Sequence, residues 1–462
     1  MRSTKWSTLM ATLAILASVH VHAQPLSATG TTLPVIQKST ATIPVALNSD
    51  GDEDQDDAPS PSDVIQPLEM VTDVCDHSCD AICDGNDSCC AINQDNCNGK
   101  PWMLFAKRCG GISAGGWVNF GVTLNGHGNE SVAGNSPLEF NNMSDGILLN
   151  QLWAWVGKDA NTGGCGTDWG FRFDYLFGTD GPDAQTFGDA PHNGWDNSWN
   201  SSRDYGSAIP QLYGEIAIDD LSIKAGHFYS LVGYEAIPGP ENFFYTHSYT
   251  MYYGEPRTHV GALAEYDAGR GRTVYGGWTA GWDNGFDNFH DASTFLGGIR
   301  VERGNATITW IVIAGDIGTG FTFAGENDSY MNSIVVDFAV TDRLTYVLQH
   351  DLGVVSSSSS QKAEWYGLNQ YLLYSINDCW AAGLRFEWFR DDDGVRVDPN
   401  GDSLNAGSYY ELTAGLNWRP HANINVRPEL RWDWYDGRGG NVYDDGDHNR
   451  LFTASIDAIL TF

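Results

Sequence analysis

The chain has 462 residues, with 59 Asp and Glu against 25 Lys and Arg and a formal net charge of −34. Such an acidic excess argues against nucleic acid as a partner, because it repels phosphate, and it favours cations or cationic solutes near the surface. No stretch beyond the N-terminal segment reaches the ~18 consecutive apolar residues of a membrane helix, while aromatic residues at 12 % and 53 glycines favour strands.

Residues 1–23 read as a targeting segment. Arg2 and Lys5 precede an apolar run from Leu9 to Val19, and Val21-His22-Ala23 has the small-x-small form of a cleavage site, leaving Gln24 as the new N-terminus. Residues 24–74 are rich in Ser, Thr, Pro and Asp, and the GDEDQDD run at 51–57 cannot bury apolar area. This stretch is expected to be a disordered acidic linker. Its acids do not have the glycine and closing glutamate of a calcium loop.

Residues 75–100 form a Cys-rich segment, expected in the periplasm, with Cys75, Cys79, Cys83, Cys89, Cys90 and Cys97. Outside the cytoplasm such cysteines imply disulfides. The alternative is zinc held by some of them with His77, but the spacing is not a clean CxxC pair. Cys109, Cys165 and Cys379 bring the total to nine, so at least one thiol is free or pairs outside the chain. The connectivity stays open.

From 101 to 462 the texture changes. In WGFRFDYLF (169–177), Trp169, Phe171, Phe173, Tyr175 and Phe177 share one face, and Arg172 and Asp174 lie on the other. That period of two is the signature of a strand with one apolar and one polar face. The pattern recurs at 379–389, 409–418 and 423–435. About sixteen strands are predicted, near 111–124, 146–157, 169–178, 209–218, 221–230, 258–267, 272–283, 293–302, 305–316, 330–340, 343–353, 364–376, 379–390, 408–418, 423–435 and 450–462. Segment 305–316 is apolar on both faces, and Pro428 predicts a bulge or a shifted boundary.

Tight turns alternate with long polar loops, and Trp and Tyr cluster near strand ends. These features predict an all-β fold, a transmembrane antiparallel up-and-down barrel. A soluble carbohydrate-binding sandwich is a weaker alternative. The chain ends on Phe462, an aromatic residue closing an amphipathic strand, which resembles the signal read by the barrel-assembly machinery.

Several strings look familiar: GGWVNFGVTLNGHGN (115–129), TGGCGTDWGFRFDYLFGTDGPDAQTFG (162–188), ENFFYTHSYTMYYGEP (241–256), YGGWTAGWDNGFDNF (275–289), NDCWAAGLRFEWFR (377–390) and AGLNWRPHANINVRPELRWDW (414–434). Together they resemble the family described as putative β-barrel porin-2, OmpL-like outer-membrane proteins of planctomycete type. The resemblance implies an outer-membrane barrel of porin function and names no substrate.

The residues Gly111-Ile112-Ser113-Ala114-Gly115 match GxSxG, but they continue into a strand instead of the strand–turn–helix that a nucleophile elbow needs. No enzyme, cofactor or resident metal is expected. Paired acids such as Asp391 to Asp393 and Asp444-Asp445 are read as solvated loops, with calcium binding as the alternative.

A barrel of this size encloses water, so its charged inner positions are expected to line a pore. These are Arg172, Asp174, Glu215, Lys224, Arg385, Glu387, Glu411, Arg427, Glu429, Arg431 and Asp433. Loop 231–257, carrying Glu235, Glu241, Phe243, Phe244, Tyr245 and Glu255, is the candidate constriction, its acids set against wall arginines in a transverse field. Expected partners are outer-membrane lipid, the assembly machinery and small hydrophilic solutes or ions passing by diffusion. A homo-oligomer is a candidate assembly, since trimers are common among porins. The competing reading is a plugged barrel serving as an envelope anchor or adhesin.

Overall fold

The computed structural model describes residues 101–105 and 111–462, apart from 128–133, 145, 188–194, 197, 202–203, 289–290, 319–326, 358–361 and 398–404. The expected signal peptide, acidic linker and Cys-rich segment, with Cys109, lie outside the described residues.

Sixteen strands follow one another along the chain. The first four are β1 (Ser113–Asn125), β2 (Leu148–Lys158), β3 (Thr167–Gly178) and β4 (Gly206–Ile218). Next come β5 (Leu221–Tyr229), β6 (Thr258–Asp267), β7 (Arg272–Thr279) and β8 (Ser293–Arg303). Then β9 (Ala306–Asp316), β10 (Asn327–Thr341), β11 (Leu344–Ser357) and β12 (Lys362–Asn377). The last are β13 (Trp380–Asp391), β14 (Gly407–His421), β15 (Ile424–Gly437) and β16 (Arg450–Thr461). A short helix, α1 (Asp180–Ala184), follows β3.

Each strand pairs antiparallel with the next, and β1 pairs with β16 to close the barrel, with Trp117 opposite Thr461 and Asn125 opposite Thr453. Closure leaves no unpaired sheet edge, which a lipid environment requires. The boundaries agree with the sequence expectation to within a few residues at most ends. One correction concerns Pro428. No bulge forms there: Gly415↔Glu429 and Trp418↔Val426 share one register, and Pro428 stays opposite Ile456. The irregularity lies at the turn, between Trp418 and His421.

Connections at one end are tight, such as 219–220, 304–305 and 342–343, while most at the other are long, such as 126–147, 179–205 and 230–257. Leu124, Ile216, Ile223, Leu372, Leu384, Leu412, Leu430 and Ile456 all point outward and are exposed. In water this belt would be costly at ~25 cal/mol per Å² of apolar surface, whereas hydrocarbon accepts it. Aromatic residues mark both rims. Trp380 stacks on Trp418 at 5.7 Å by the tight turns, and Tyr410 stacks on Trp434 at 5.2 Å by the long loops.

The packed core lies inside the barrel, towards the long-loop end. Leu263, Leu296, Ile311 and Ile313 point inward from β6, β8 and β9 and bury against Val232, Tyr253, Trp282 and Ile317 of the loops. This explains the two apolar faces of β9: one meets lipid and the other meets the folded-in loops.

Candidate functional site: the loop inside the barrel

The segment between β5 and β6, residues 230–257, folds into the barrel interior. An irregular loop cannot satisfy its own backbone polar groups, and buried ones need partners. The inner wall of β11–β16, with β2, supplies them from the charged positions that alternate along the strands.

Three wall arginines take loop carbonyls. Arg385 donates to Thr246 O at 2.7 Å, and Arg431 donates to His247 O at 2.5 Å. Arg427 donates to Gly239 O at 2.8 Å, Asn242 O at 2.8 Å and Phe244 O at 3.0 Å. Two wall glutamates take loop N–H groups. Glu387 accepts from the amides of Tyr249 at 2.7 Å and Thr250 at 2.6 Å. Glu429 accepts from those of Tyr245 at 2.8 Å and Thr246 at 3.2 Å. Amides of the wall join in: Gln349 accepts from Tyr234 N at 3.0 Å, and Gln151 accepts from Gly239 N at 3.0 Å and donates to Ile237 O at 2.9 Å.

The arginines are also paired along the wall. Arg385 binds Glu411 at 2.7 Å, Arg427 binds Asp457 at 2.5 Å and Arg431 binds Asp433 at 2.8 Å. All are buried. Charges in so dry a place need both a partner and satisfied hydrogen bonds; here a wall carboxylate gives the first and the loop backbone the second.

Glycines on the same wall make room. Tyr245 sits where a side chain at Gly121 would go, and Phe243 does the same at Gly383. Phe244 lies under the Arg385 guanidinium, 5.0 Å from its ring centre.

Of the loop acids, Glu235 meets an arginine, Arg385, at 2.5 Å, and it also accepts from Tyr371 at 3.2 Å. Burial would raise its carboxyl, but Arg385, His247 and the Ser248 amide hold it well below the usual carboxylate range. Glu255 accepts from Gln349. Glu241 is buried in part among Tyr229, Ser230 and Ile237. Of the expected pairs between loop acids and wall arginines, Glu235–Arg385 is present.

The remaining expected pore positions divide by wall. Arg385, Glu387, Glu411, Arg427, Glu429, Arg431 and Asp433 lie together beneath the loop. Asp174 is buried, bonded to Arg172 and to Trp153 Nε1 at 3.2 Å. Lys224 is buried beside the Tyr213 and Phe228 rings, 5.5 Å and 5.8 Å from their centres. Arg172 and Glu215 are half-buried.

Sequence reasoning missed Glu265, Arg300 and Asp337. Cross-strand pairs Glu265↔Tyr275, Thr273↔Arg300 and Asp337↔Val347 put them on the inner face, where they stay half-buried near the tight-turn end. With Thr307, Thr309 and Thr345 they make a polar, partly solvated lining on β6–β11. Their strands alternate poorly because the neighbouring inner positions serve the apolar core.

Above the loop lies an acidic junction. Glu139 accepts from Tyr253 Oη at 3.2 Å, and Asp183 accepts from the Phe140 amide at 2.8 Å and Tyr252 Oη at 3.3 Å. Burial, with Asp183 nearby, pushes the Glu139 carboxyl up to about 7. Burial pushes Asp180 up to about 8 despite a hydrogen bond from Gln151 at 2.8 Å.

Among the remaining candidates, Ser113 opens β1 and has no helix after it. Cys165 is a free exposed thiol and Cys379 is disulfide-bonded. Phe462 exchanges backbone hydrogen bonds of 2.9 Å with Gly116 across the seam. Asp391 caps a turn, accepting from the amides of residues 395, 396 and 397.

The family model described as "Putative beta-barrel porin-2, OmpL-like" matches residues 111–462. No curated protein matches the chain. Among solved structures, the anion-selective porin from Comamonas acidovorans aligns with a TM-score of 0.53 at 7 % identity, covering 76 % of this chain and 99 % of its own. The outer membrane channel DcaP of Acinetobacter baumannii aligns with a TM-score of 0.50 at 11 % identity, covering 77 % and 99 %. At such identities the likeness shows the fold alone.

Proposed function

Because the chain belongs to the putative β-barrel porin-2, OmpL-like family, we propose that it is an outer-membrane porin for passive diffusion of small hydrophilic solutes or ions. The loop 231–257 is its constriction. The observation that carries this reading is the loop's position, inside the barrel and fastened to β11–β16, opposite a partly solvated polar lining on β6–β11. Solutes then pass along Glu265, Arg300 and Asp337, with Arg172 and Glu215 beside them, and the buried arginines hold the constriction in shape. Selectivity follows from size and from the charges left in contact with water. The chain reaches the outer membrane after export, with Phe462 as the assembly signal and lipid around the apolar belt.

A second reading rests on the apolar packing of Leu263, Leu296, Ile311 and Ile313 at the long-loop end. If that packing closes the passage, the barrel is an envelope anchor and its loops or N-terminal segment do the work. Single-channel recording of the purified full chain in a planar bilayer separates the two. Stable conductance steps support the porin, and silence from folded, inserted protein supports the anchor.

A further inference from the structure

The long-loop rim carries a cluster of metal-ligating side chains that the diffusion pathway does not use. His127, just after β1, lies beside Asp444 and His448 of the 438–449 loop, with one ligand atom from each within 4.8 Å of the others. The two imidazoles stack at 4.0 Å with planes 7° apart, so an ion held by both requires the exposed His448 ring to turn out of the stack, and His448 Nε2 lies 3.4 Å from Asp444 Oδ2. His127 Nε2 is 3.0 Å from the Arg450 carbonyl. A carbonyl in that place takes the Nε2 proton and leaves Nδ1 with its lone pair, the second-shell arrangement that orients a metal-binding histidine.

We propose that His127, Asp444 and His448 bind a divalent transition-metal ion of the zinc, nickel or copper kind. Two imidazoles and a carboxylate are the donors such ions prefer, with water completing the shell. Calcium and magnesium seek all-oxygen sites and bind poorly here. His127 and His448 are exposed, so ions reach the site from the long-loop side.

The site has a structural consequence because it straddles the seam of the barrel. His127 follows the first strand, and Asp444 and His448 precede the last, which pair at Asn125↔Thr453. Metal binding therefore clasps the first and last long loops together. Next to Asp444, Tyr443 Oη lies 2.9 Å from Tyr249 Oη, and Tyr249, in the clamped loop, donates to Asp433 of β15 at 2.9 Å. The rim clasp is thus one hydrogen bond from the constriction.

Calorimetric titration with zinc chloride tests this, using the folded full chain in detergent with free thiols alkylated. A His127→Ala and a His448→Ala variant, each shown to fold by heat-modifiable migration, are titrated beside the wild type, and the wild type is also titrated with calcium chloride. The expected result is one wild-type site that each variant weakens by more than the ~10–100-fold that a second-shell contact is worth. Zinc affinity unchanged in both variants, absent from the wild type, or matched by calcium overturns the proposal.

Discussion

Arg385 of β13 and Glu235 of the inserted loop form an ion pair at 2.5 Å, buried inside the barrel and shared with Glu411 at 2.7 Å. One guanidinium thereby joins two carboxylates and a loop carbonyl. The pair ties the chain's most aromatic loop to a wall 150 residues further along.

Substituting Glu235→Gln removes one of two carboxylates from Arg385. Breaking a buried pair typically costs ~3–5 kcal/mol, and the remaining bond to Glu411 should keep the loss towards the lower end. The expected outcome is a loosened loop, seen as faster proteolysis within 231–257 and a larger, noisier conductance. Proteolysis and conductance equal to wild type would show that the pair does not hold the loop.

The wall charges fall into two classes with different behaviour. Neutralising Arg300 or Asp337 should shift ion selectivity in opposite directions with little loss of stability, because both are half-buried on the lining. Neutralising Arg431 should instead destabilise the loop, because it is buried under His247 and bound to Asp433. Reversal potentials in a salt gradient, measured with thermal denaturation, distinguish the classes. A large selectivity change in the Arg431 variant without loss of stability would place the lining on the wrong wall.

Gly121 and Gly383 give a steric test. Tyr245 and Phe243 occupy the space that a side chain would need at these positions. Gly121→Ala or Gly383→Ala should displace the aromatic residue, at ~1–3 kcal/mol for overpacking, and speed proteolysis of the loop. An alanine accepted at both positions with unchanged protection contradicts such close packing.

The acidic junction sets a pH dependence. Glu139 is pushed up to about 7, above its ordinary 4.5, so the folded protein holds this proton more tightly than the unfolded chain. Its favourable contribution is complete below the unfolded value and is lost as pH rises through about 7. Loop stability should fall from pH ~5 to ~7.5, by on the order of 1–3 kcal/mol. Glu139→Gln should flatten that slope. An equally steep slope in the variant assigns the effect elsewhere, with Asp180 the next group of the same sign.

Much of the barrel was legible in the sequence because lipid on one side and polar groups on the other enforce a period of two. β13 and β15 show it most clearly, and both lie near their expected bounds. The aromatic content of 231–257 is a separate signal, since so many rings are poorly placed in water and burial inside the barrel removes them from it. What the sequence did not show was which inner charges the loop would cover. That depends on pairings such as Tyr249 N with Glu387, 138 residues apart, which local periodicity does not encode. Glu265, Arg300 and Asp337 were missed because their strands also serve an apolar core inside the barrel. Pro428 was misjudged because a proline can keep strand register while the ladder is interrupted beside it, at Leu416 and Asn417.

The most direct test of the central claim is single-channel conductance of the folded full chain in a planar bilayer, compared with a variant in which 241–249 is shortened to a glycine-serine linker. A constricted porin predicts small stable steps from the wild type and clearly larger ones from the variant. Silence from both, with insertion shown independently, would contradict the account and leave a closed barrel.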